Sequence, residues 1–298
     1  MGAEADLWRA LPGGAAGLLV LAGVLGLVVG SFLNVVIHRL PRGESVVSPG
    51  SHCPACGRAI RWFENVPLLS WALLRGRCRG CGAWISLRYP AVEALTGVLF
   101  AAVVARYGLD ATTPAWWAFV ALLVAAAGID LDHRIIPDEL SLGGLALGLV
   151  ALPGLRAATG SPYTDALLQA ASGALLGGGL LWLVGFVHAR VAAAMGRSFA
   201  HWPGEDGAYP RFASADYWTW FPGLGFGDVK LLAMVGAFLG PGPVVEAILA
   251  ASLLGLVFGL VWALATRSWS APFGFGPAIA AGAVLVLLLP PSLHLLAG

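Results

Sequence analysis

Charge is what this sequence has least of. Only 11% of its 298 residues are Asp, Glu, Lys or Arg, while 58% are hydrophobic; soluble globular domains are nearer a quarter charged. The mean hydropathy is +0.82. A net charge of +1 leaves no global basic footprint for nucleic acid. Common catalytic signatures are missing too. There is no H-E-x-x-H, no G-x-S-x-G, and no G-x-G-x-x-G in a strand–helix context. His38, His133, His188 and His201 are scattered along the chain and read as interfacial residues, not ligands. Cysteine is scarce, with four residues confined to one polar stretch. None sits in an apolar segment beside a histidine, which removes a Cys–His nucleophile. The opening "MGAEADLWRALPGG" sets Glu4 and Asp6 against Arg9 and lacks the positive n-region of a cleaved signal peptide. The apolar block behind it has no A-x-A-like site and reads as a retained span.

What the chain does have is long apolar blocks. Eight lie at roughly 14–37, 90–106, 114–131, 138–154, 165–189, 228–240, 243–266 and 274–296. All but the sixth approach the roughly 20 residues of a spanning helix. The sixth runs at once into "GPGP", a tight turn between two spans. The expected fold is an all-α polytopic membrane protein with about eight transmembrane helices. Its expected parts are a first helix (1–37), a polar domain (38–89) and a seven-helix membrane domain (90–298). The polar stretch carries Arg39, Arg42, Arg58, Arg61, Arg75, Arg77, Arg79 and Arg88, which places it in the cytoplasm by the positive-inside rule. Counting spans from there puts the N-terminus outside and leaves Arg156 as the misplaced loop arginine. The same count brings Asp130, at the end of the third span, and Asp228, at the start of the sixth, to the cytoplasmic face.

All four cysteines fall in that arginine-rich stretch, as "CPACG" (Cys53, Cys56) and "CRGCG" (Cys78, Cys81), with 21 residues between the pairs. Two C-x-x-C pairs, each followed by a turn glycine, form a zinc-ribbon pattern, one residue beyond the usual spacing. Disulfides are disfavoured in the cytoplasm; two disulfides or free thiols are the other readings. Four thiolates close a coordination sphere, so the expected zinc is structural, and a domain this poor in large apolar residues needs it to fold.

Two acidic clusters remain. One is "GIDLDHRIIPDEL", with Asp130, Asp132 and Asp138; the other is "GFGD", ending in Asp228. Asp138 after Pro137 reads as a helix cap and Asp132 as a solvated interfacial charge. Asp228 also suits a helix start. Asp130 is different: it stands at a helix C-terminus, where the dipole opposes negative charge, between Ile129 and Leu131. Two carboxylates sharing a proton can activate water and protonate a leaving amide nitrogen. The dipoles favour the ionised form at Asp228 and the protonated form at Asp130, within a pair that titrates as a unit. Gly225 and Gly227 would let a substrate backbone approach Asp228. Lys230 either tunes Asp228 or anchors the helix at the headgroups.

These residues resemble the prepilin peptidases, membrane aspartic leader peptidases of type IV pilus and type II secretion systems. "GSFLNVVIHRLP" (30–41) is similar to the family's N-terminal signature, and residues 53–93 to its cytoplasmic zinc domain. "DLDHRIIPD" (130–138) and "GFGDVKLLAMVGAFLG" (225–240) are similar to its aspartate motifs. The resemblance implies Asp130 and Asp228 as catalytic acids, Asp130 standing seven residues before Pro137. It implies cleavage of a short basic leader from type IV prepilins or pseudopilins after a glycine, at the cytoplasmic face of the bacterial inner membrane. It further implies N-methylation of the new terminus with S-adenosylmethionine. For that donor, Asn34 and the 30–41 stretch are candidates, against simple packing of small residues. Two features depart from the pattern. The aromatic stretch 196–223, with Trp202, Tyr209, Tyr217, Trp218 and Trp220, suggests an interfacial loop, whose Glu205, Asp206 and Asp216 would attract a basic leader. "PFGFGP" (272–277) carries two inserted residues, which weakens any role for that turn. The competing functions are a peptidase without methyl transfer, a proton-coupled transporter and an assembly protein with a zinc docking loop.

Overall fold

A computed structural model describes residues 14–199, 202–203, 207–267 and 274–295. Readings placed on Glu4, Asp6, Arg9, His201, Glu205, Asp206 and the start of the 272–277 turn lie outside the described residues. The chain divides into two compact units, residues 1–129 and 130–298. Among the described residues there is no strand, only isolated bridges. Apolar chain in a bilayer must satisfy its own backbone, and the helix does so within one segment.

The first unit contains α1 (Gly14–Arg39), α2 (Arg88–Tyr107) and most of α3 (Thr113–His133). Helices α1 and α2 touch through glycine. A Cβ at Gly26 would lie 2.6 Å from the Thr96 carbonyl oxygen, and one at Gly30 would lie 2.7 Å from Glu93 Cα. Asp110 starts α3: its Oδ1 accepts the Thr112 and Thr113 N–H groups at 2.8 and 3.1 Å. The last turn of α3, with Asp130, belongs to the second unit.

The second unit adds α4 (Asp138–Ala158), α5 (Tyr163–Ala194), α6 (Phe226–Leu239), α7 (Pro241–Thr266) and α8 (Gly276–Leu288). Among the described residues six helices are long and apolar enough to cross a membrane; α6 and α8 are shorter, at 14 and 13 residues. Their lengths have local causes. Gly240, at φ +86°, ends α6, and Pro241 begins α7 at the position where a missing N–H costs nothing. Pro290 and Pro291 stop α8 well before the end of its apolar block. Helix α4 contains a π-turn at Leu147–Ala151.

Helices α5 and α6 approach each other through bare backbone. A Cβ at Gly173 would lie 2.1 Å from the Gly236 carbonyl oxygen, and one at Gly236 would lie 2.0 Å from that of Gly173. Gly177 meets the Leu232 carbonyl in the same way. Small residues let helices approach where lipid removes the hydrophobic drive between them. On the opposite flank of α6, Gly148 of α4 packs on Ala237 and Phe238. The aromatic stretch after α5 is less interfacial than its composition suggests. Trp202 is only 1% exposed, in a small core with Ala189, Ala192 and Phe221.

The glycine contacts make a paired prediction. Gly173→Val should destabilise the protein by about 3 kcal/mol or more, because the obstacle is backbone that cannot step aside. Gly179→Val, where a Cβ meets nothing within 4 Å, should be near neutral. Thermal unfolding in detergent distinguishes them, and equal midpoints would refute the packing argument.

Candidate active site and metal centre

The cysteine domain is built from two matching knuckles. Gly57, at φ +69°, donates its N–H to the Cys53 carbonyl at 2.8 Å; Gly82, at φ +72°, does the same to Cys78 at 2.9 Å. Cys53 and Cys78 return N–H bonds to the Arg58 and Ala83 carbonyls at 2.9 and 2.8 Å. The left-handed glycines close each turn so that both its sulfurs face inward. All four Sγ atoms lie within 4.8 Å of one another. Cys53 and Cys81 are 3.9 Å apart, close to the roughly 3.8 Å between sulfurs set by Zn–S bonds of roughly 2.3 Å in a tetrahedron. The cysteines are unbridged.

The backbone N–H groups of Cys81 and Gly80 pull the Cys78 thiol down to about 6. At Cys81 the Ala83 N–H also pulls downward, but the sulfur of Cys56, desolvation and the other sulfurs outweigh it, and the thiol rises to about 11. Four crowded sulfurs cannot all shed their protons without a cation among them, and that is the chemistry of a metal-binding set. The domain is further tied by Glu64, which takes Arg58 Nη2 at 2.8 Å and the Arg61 N–H at 3.1 Å. Trp71 Nε1 donates to the Ile85 carbonyl at 3.0 Å.

The aspartates come from different elements of the second unit. Asp130 is only 4% exposed. Its Oδ2 accepts the Gly276 N–H at 2.8 Å, from the first residue of α8. That donor and the positive end of α8 offset the unfavourable dipole of α3 at this position. The turn before α8 is packed against the carboxyl group. A Cβ at Gly274 would lie 2.1 Å from Asp130 Oδ2, and one at Gly276 would lie 2.9 Å away. Asp228 stands in the first turn of α6, half-buried, with its N–H on the Gly225 carbonyl at 3.1 Å. The two carboxylates are within electrostatic reach of each other.

The remaining sequence candidates take distinct places. Gly225 lies beside the Asp228 carboxylate, where a Cβ would be 3.3 Å from Oδ2. Gly227 packs against Ile136, whose Cβ would be 3.1 Å from an added methyl. Lys230 binds through Nζ to Asp138 Oδ1, and its ammonium lies over the Phe226 ring. Asp138 makes no side-chain cap for α4; its carboxylate serves this ion pair instead. Asp132 is exposed. Sequence reasoning passed over Gly274 and Gly276. Their signal was present in "PFGFGP": two glycines among bulky residues ahead of a span mark a backbone that something must approach.

Six helices long and apolar enough to cross a membrane, with a four-cysteine cluster in the first unit, define the class, a polytopic all-α membrane protein. Comparison with known proteins gives the family. Residues 24–107 match the bacterial peptidase A24 N-terminal domain, and residues 117–260 match the type IV leader peptidase family. A prepilin leader peptidase/N-methyltransferase of Myxococcus xanthus is 43% identical over 245 residues, covering 82% of this chain and 62% of its own length. A protein of the same name from Xanthomonas campestris is 36% identical over 288 residues, 87% of each chain. A type 4 prepilin-like proteins leader peptide-processing enzyme of Escherichia coli is 35% identical over 306 residues, 95% of this chain and 97% of its own. This chain therefore spans under two thirds of the Myxococcus relative and most of the other two. No solved structure matches. The chain belongs to the type IV leader peptidase family.

Gly274→Ala places a methyl on Asp130 Oδ2 and should lower leader cleavage about tenfold or more while the protein still accumulates in the membrane. Cleavage at the wild-type rate, measured on purified enzyme, would show that the turn does not position the acid. Chelation should release about one zinc per chain and open residues 50–85 to protease. A metal-free preparation equally resistant to protease would exclude a structural metal.

Proposed function

We propose that this protein is a membrane aspartic endopeptidase. It removes the short basic leader of type IV prepilins or pseudopilins after a glycine, and then N-methylates the new terminus. The observation that carries the peptidase reading is a buried Asp130 with a backbone donor already on one carboxylate oxygen, within electrostatic reach of Asp228 at the head of α6. Asp130 and Asp228 hold one proton between them. Because Asp130 Oδ2 accepts the Gly276 N–H, that proton resides on Asp130 Oδ1 or on Asp228. The ionised partner takes a proton from water as its oxygen bonds the scissile carbonyl carbon. The protonated partner then delivers its proton to the amide nitrogen as the C–N bond breaks.

A site at the ends of apolar helices suits a substrate with a basic leader joined to an apolar helix. The arginine distribution supports placing the aspartates and the cysteine domain on the cytoplasmic side of the inner membrane. The four cysteines have the spacing and donor chemistry for one structural zinc. The methyl-transfer reading rests on the names of the relatives, which are N-methyltransferases as well as leader peptidases. In that step the new amine forms a C–N bond to the methyl of S-adenosylmethionine. The C–S bond breaks, the sulfur keeps the electron pair, and the amine proton passes to water.

The test combines purified enzyme, a prepilin and isotopically labelled S-adenosylmethionine, with the product N-terminus read by mass spectrometry. A product shortened by its leader and labelled at its amine is expected. Asp130→Asn or Asp228→Asn should leave the leader intact, a loss of at least about 10³-fold. A product cut normally by either variant removes that residue from the mechanism. A cut but unlabelled product from the wild type removes only the methyl transfer.

A further inference from the structure

The first unit carries a largely apolar groove of about 470 Å³ along one side of α1, closed opposite by an edge of the cysteine domain. Val28, Phe32, Val35 and Arg39 of α1 line it. That spacing marks one face of a helix over three turns. Facing them are Val46, Val47 and Trp62 of the cysteine domain.

The length of the groove sets its surroundings. From Val28 to Arg39 the helix rises about 16 Å. The hydrocarbon core of a bilayer is about 30 Å thick. A groove that starts at the charged end of α1 and reaches Val28 therefore spans roughly one leaflet. Val28 and Phe32 are 55% and 50% exposed, on a helix long and apolar enough to cross a membrane. Lipid is what such side chains face. The same wall continues onto the cysteine domain, where Val47 is 85% and Trp62 83% exposed.

These two side chains are held out by built contacts. Arg39 is buried, and its guanidinium donates to the Ser45, Pro49 and Gly50 carbonyls at 3.0, 2.7 and 3.4 Å. That fixes the loop carrying Val46 and Val47 against the end of α1. The Ile60 N–H donates to the Ser51 carbonyl at 2.9 Å, which brings the next stretch alongside. There Trp62 opens a 3₁₀ turn, Trp62–Glu64. Glu64 pins the turn by accepting the Arg61 N–H at 3.1 Å and Arg58 Nη2 at 2.8 Å.

An anchored turn that presents a tryptophan to water gains nothing from it, because apolar surface is stabilised only by leaving water. At a membrane boundary the same residue is well placed. Its ring is apolar and its one N–H can meet headgroups. Arg61 beside it is exposed and can lay its stem on lipid while its charge stays in water.

We propose that a phospholipid acyl chain fills this groove, and that the cysteine domain rests on the bilayer through Val47 and Trp62. The lipid then joins the domain to α1, with one wall of the slot from each. The inference goes beyond the peptidase reading and does not depend on it.

The test uses the full chain in vesicles of phosphatidylethanolamine and phosphatidylglycerol. Photoreactive p-benzoylphenylalanine replaces Trp62 in one preparation and Phe32 in another. After irradiation, mass spectrometry should find a phospholipid adduct at both positions. An adduct at position 32 with none at 62 overturns the proposal, because the domain then stands clear of lipid. If an added prepilin crosslinks to position 62 in place of lipid, the groove takes the substrate's apolar segment and the assignment fails. Amide exchange gives a second reading. Val47→Ser combined with Trp62→Ser removes apolar contact from side chains that fill no core. In vesicles it should speed exchange across residues 45–50 and 61–67 about tenfold or more, and leave the Arg88–Tyr107 helix unchanged. Equal exchange in the variant and the wild type across both stretches overturns the docking.

Discussion

The backbone contact between Gly173 and Gly236 is the constraint on which the second unit depends. Lipid offers no hydrophobic drive to hold two helices together, so the contact must come from close approach of small residues. With no side chain at Gly173 or Gly236, α5 and α6 meet backbone to backbone there. That fixes the height and rotation of α6, and with them the position of Asp228 in its first turn. Gly148 packs α4 on the other flank of the same helix. In the first unit, Gly26 and Gly30 serve α1 and α2 in the same way, and the helices they join carry Asn34 and Glu93. A chain that is rich in glycine and poor in charge uses the one to position the other.

Several of the charges that remain have defined partners. Lys230 is bound by Asp138 and so is directed to that partner and not to Asp228. Glu64 gathers Arg58 and Arg79. Asp130 receives a backbone donor from Gly276, which holds the orientation of its carboxylate. Glu93 in the first unit is likewise held by a backbone donor, the Leu68 N–H.

Much of this was legible in the chain. Long apolar blocks with few charges announce membrane helices because backbone in lipid has no alternative. The C-x-x-C-G pairs announce a metal knuckle because the glycine after each pair must turn left-handed. Asp130 stood out because a helix end is a poor place for a carboxylate. Other parts were illegible for physical reasons. Trp202 was grouped with interfacial aromatics, although its neighbours Ala189, Ala192 and Phe221 bury it. Gly274 and Gly276 looked like an irregular turn, because their partner lies more than a hundred residues away.

The sequence by itself determined the membrane character of this protein, its helical character and the spacing of the four cysteines that cluster in the structure. Those follow from composition and local spacing, where each residue's chemistry acts on its immediate neighbours. The tertiary structure alone decided which backbone N–H meets Asp130, that Lys230 pairs with Asp138, and that the Glu93 carboxylate takes the Leu68 N–H. Those are contacts between distant segments. Their geometry is set by how closely glycine lets two helices approach, and no local pattern encodes that distance.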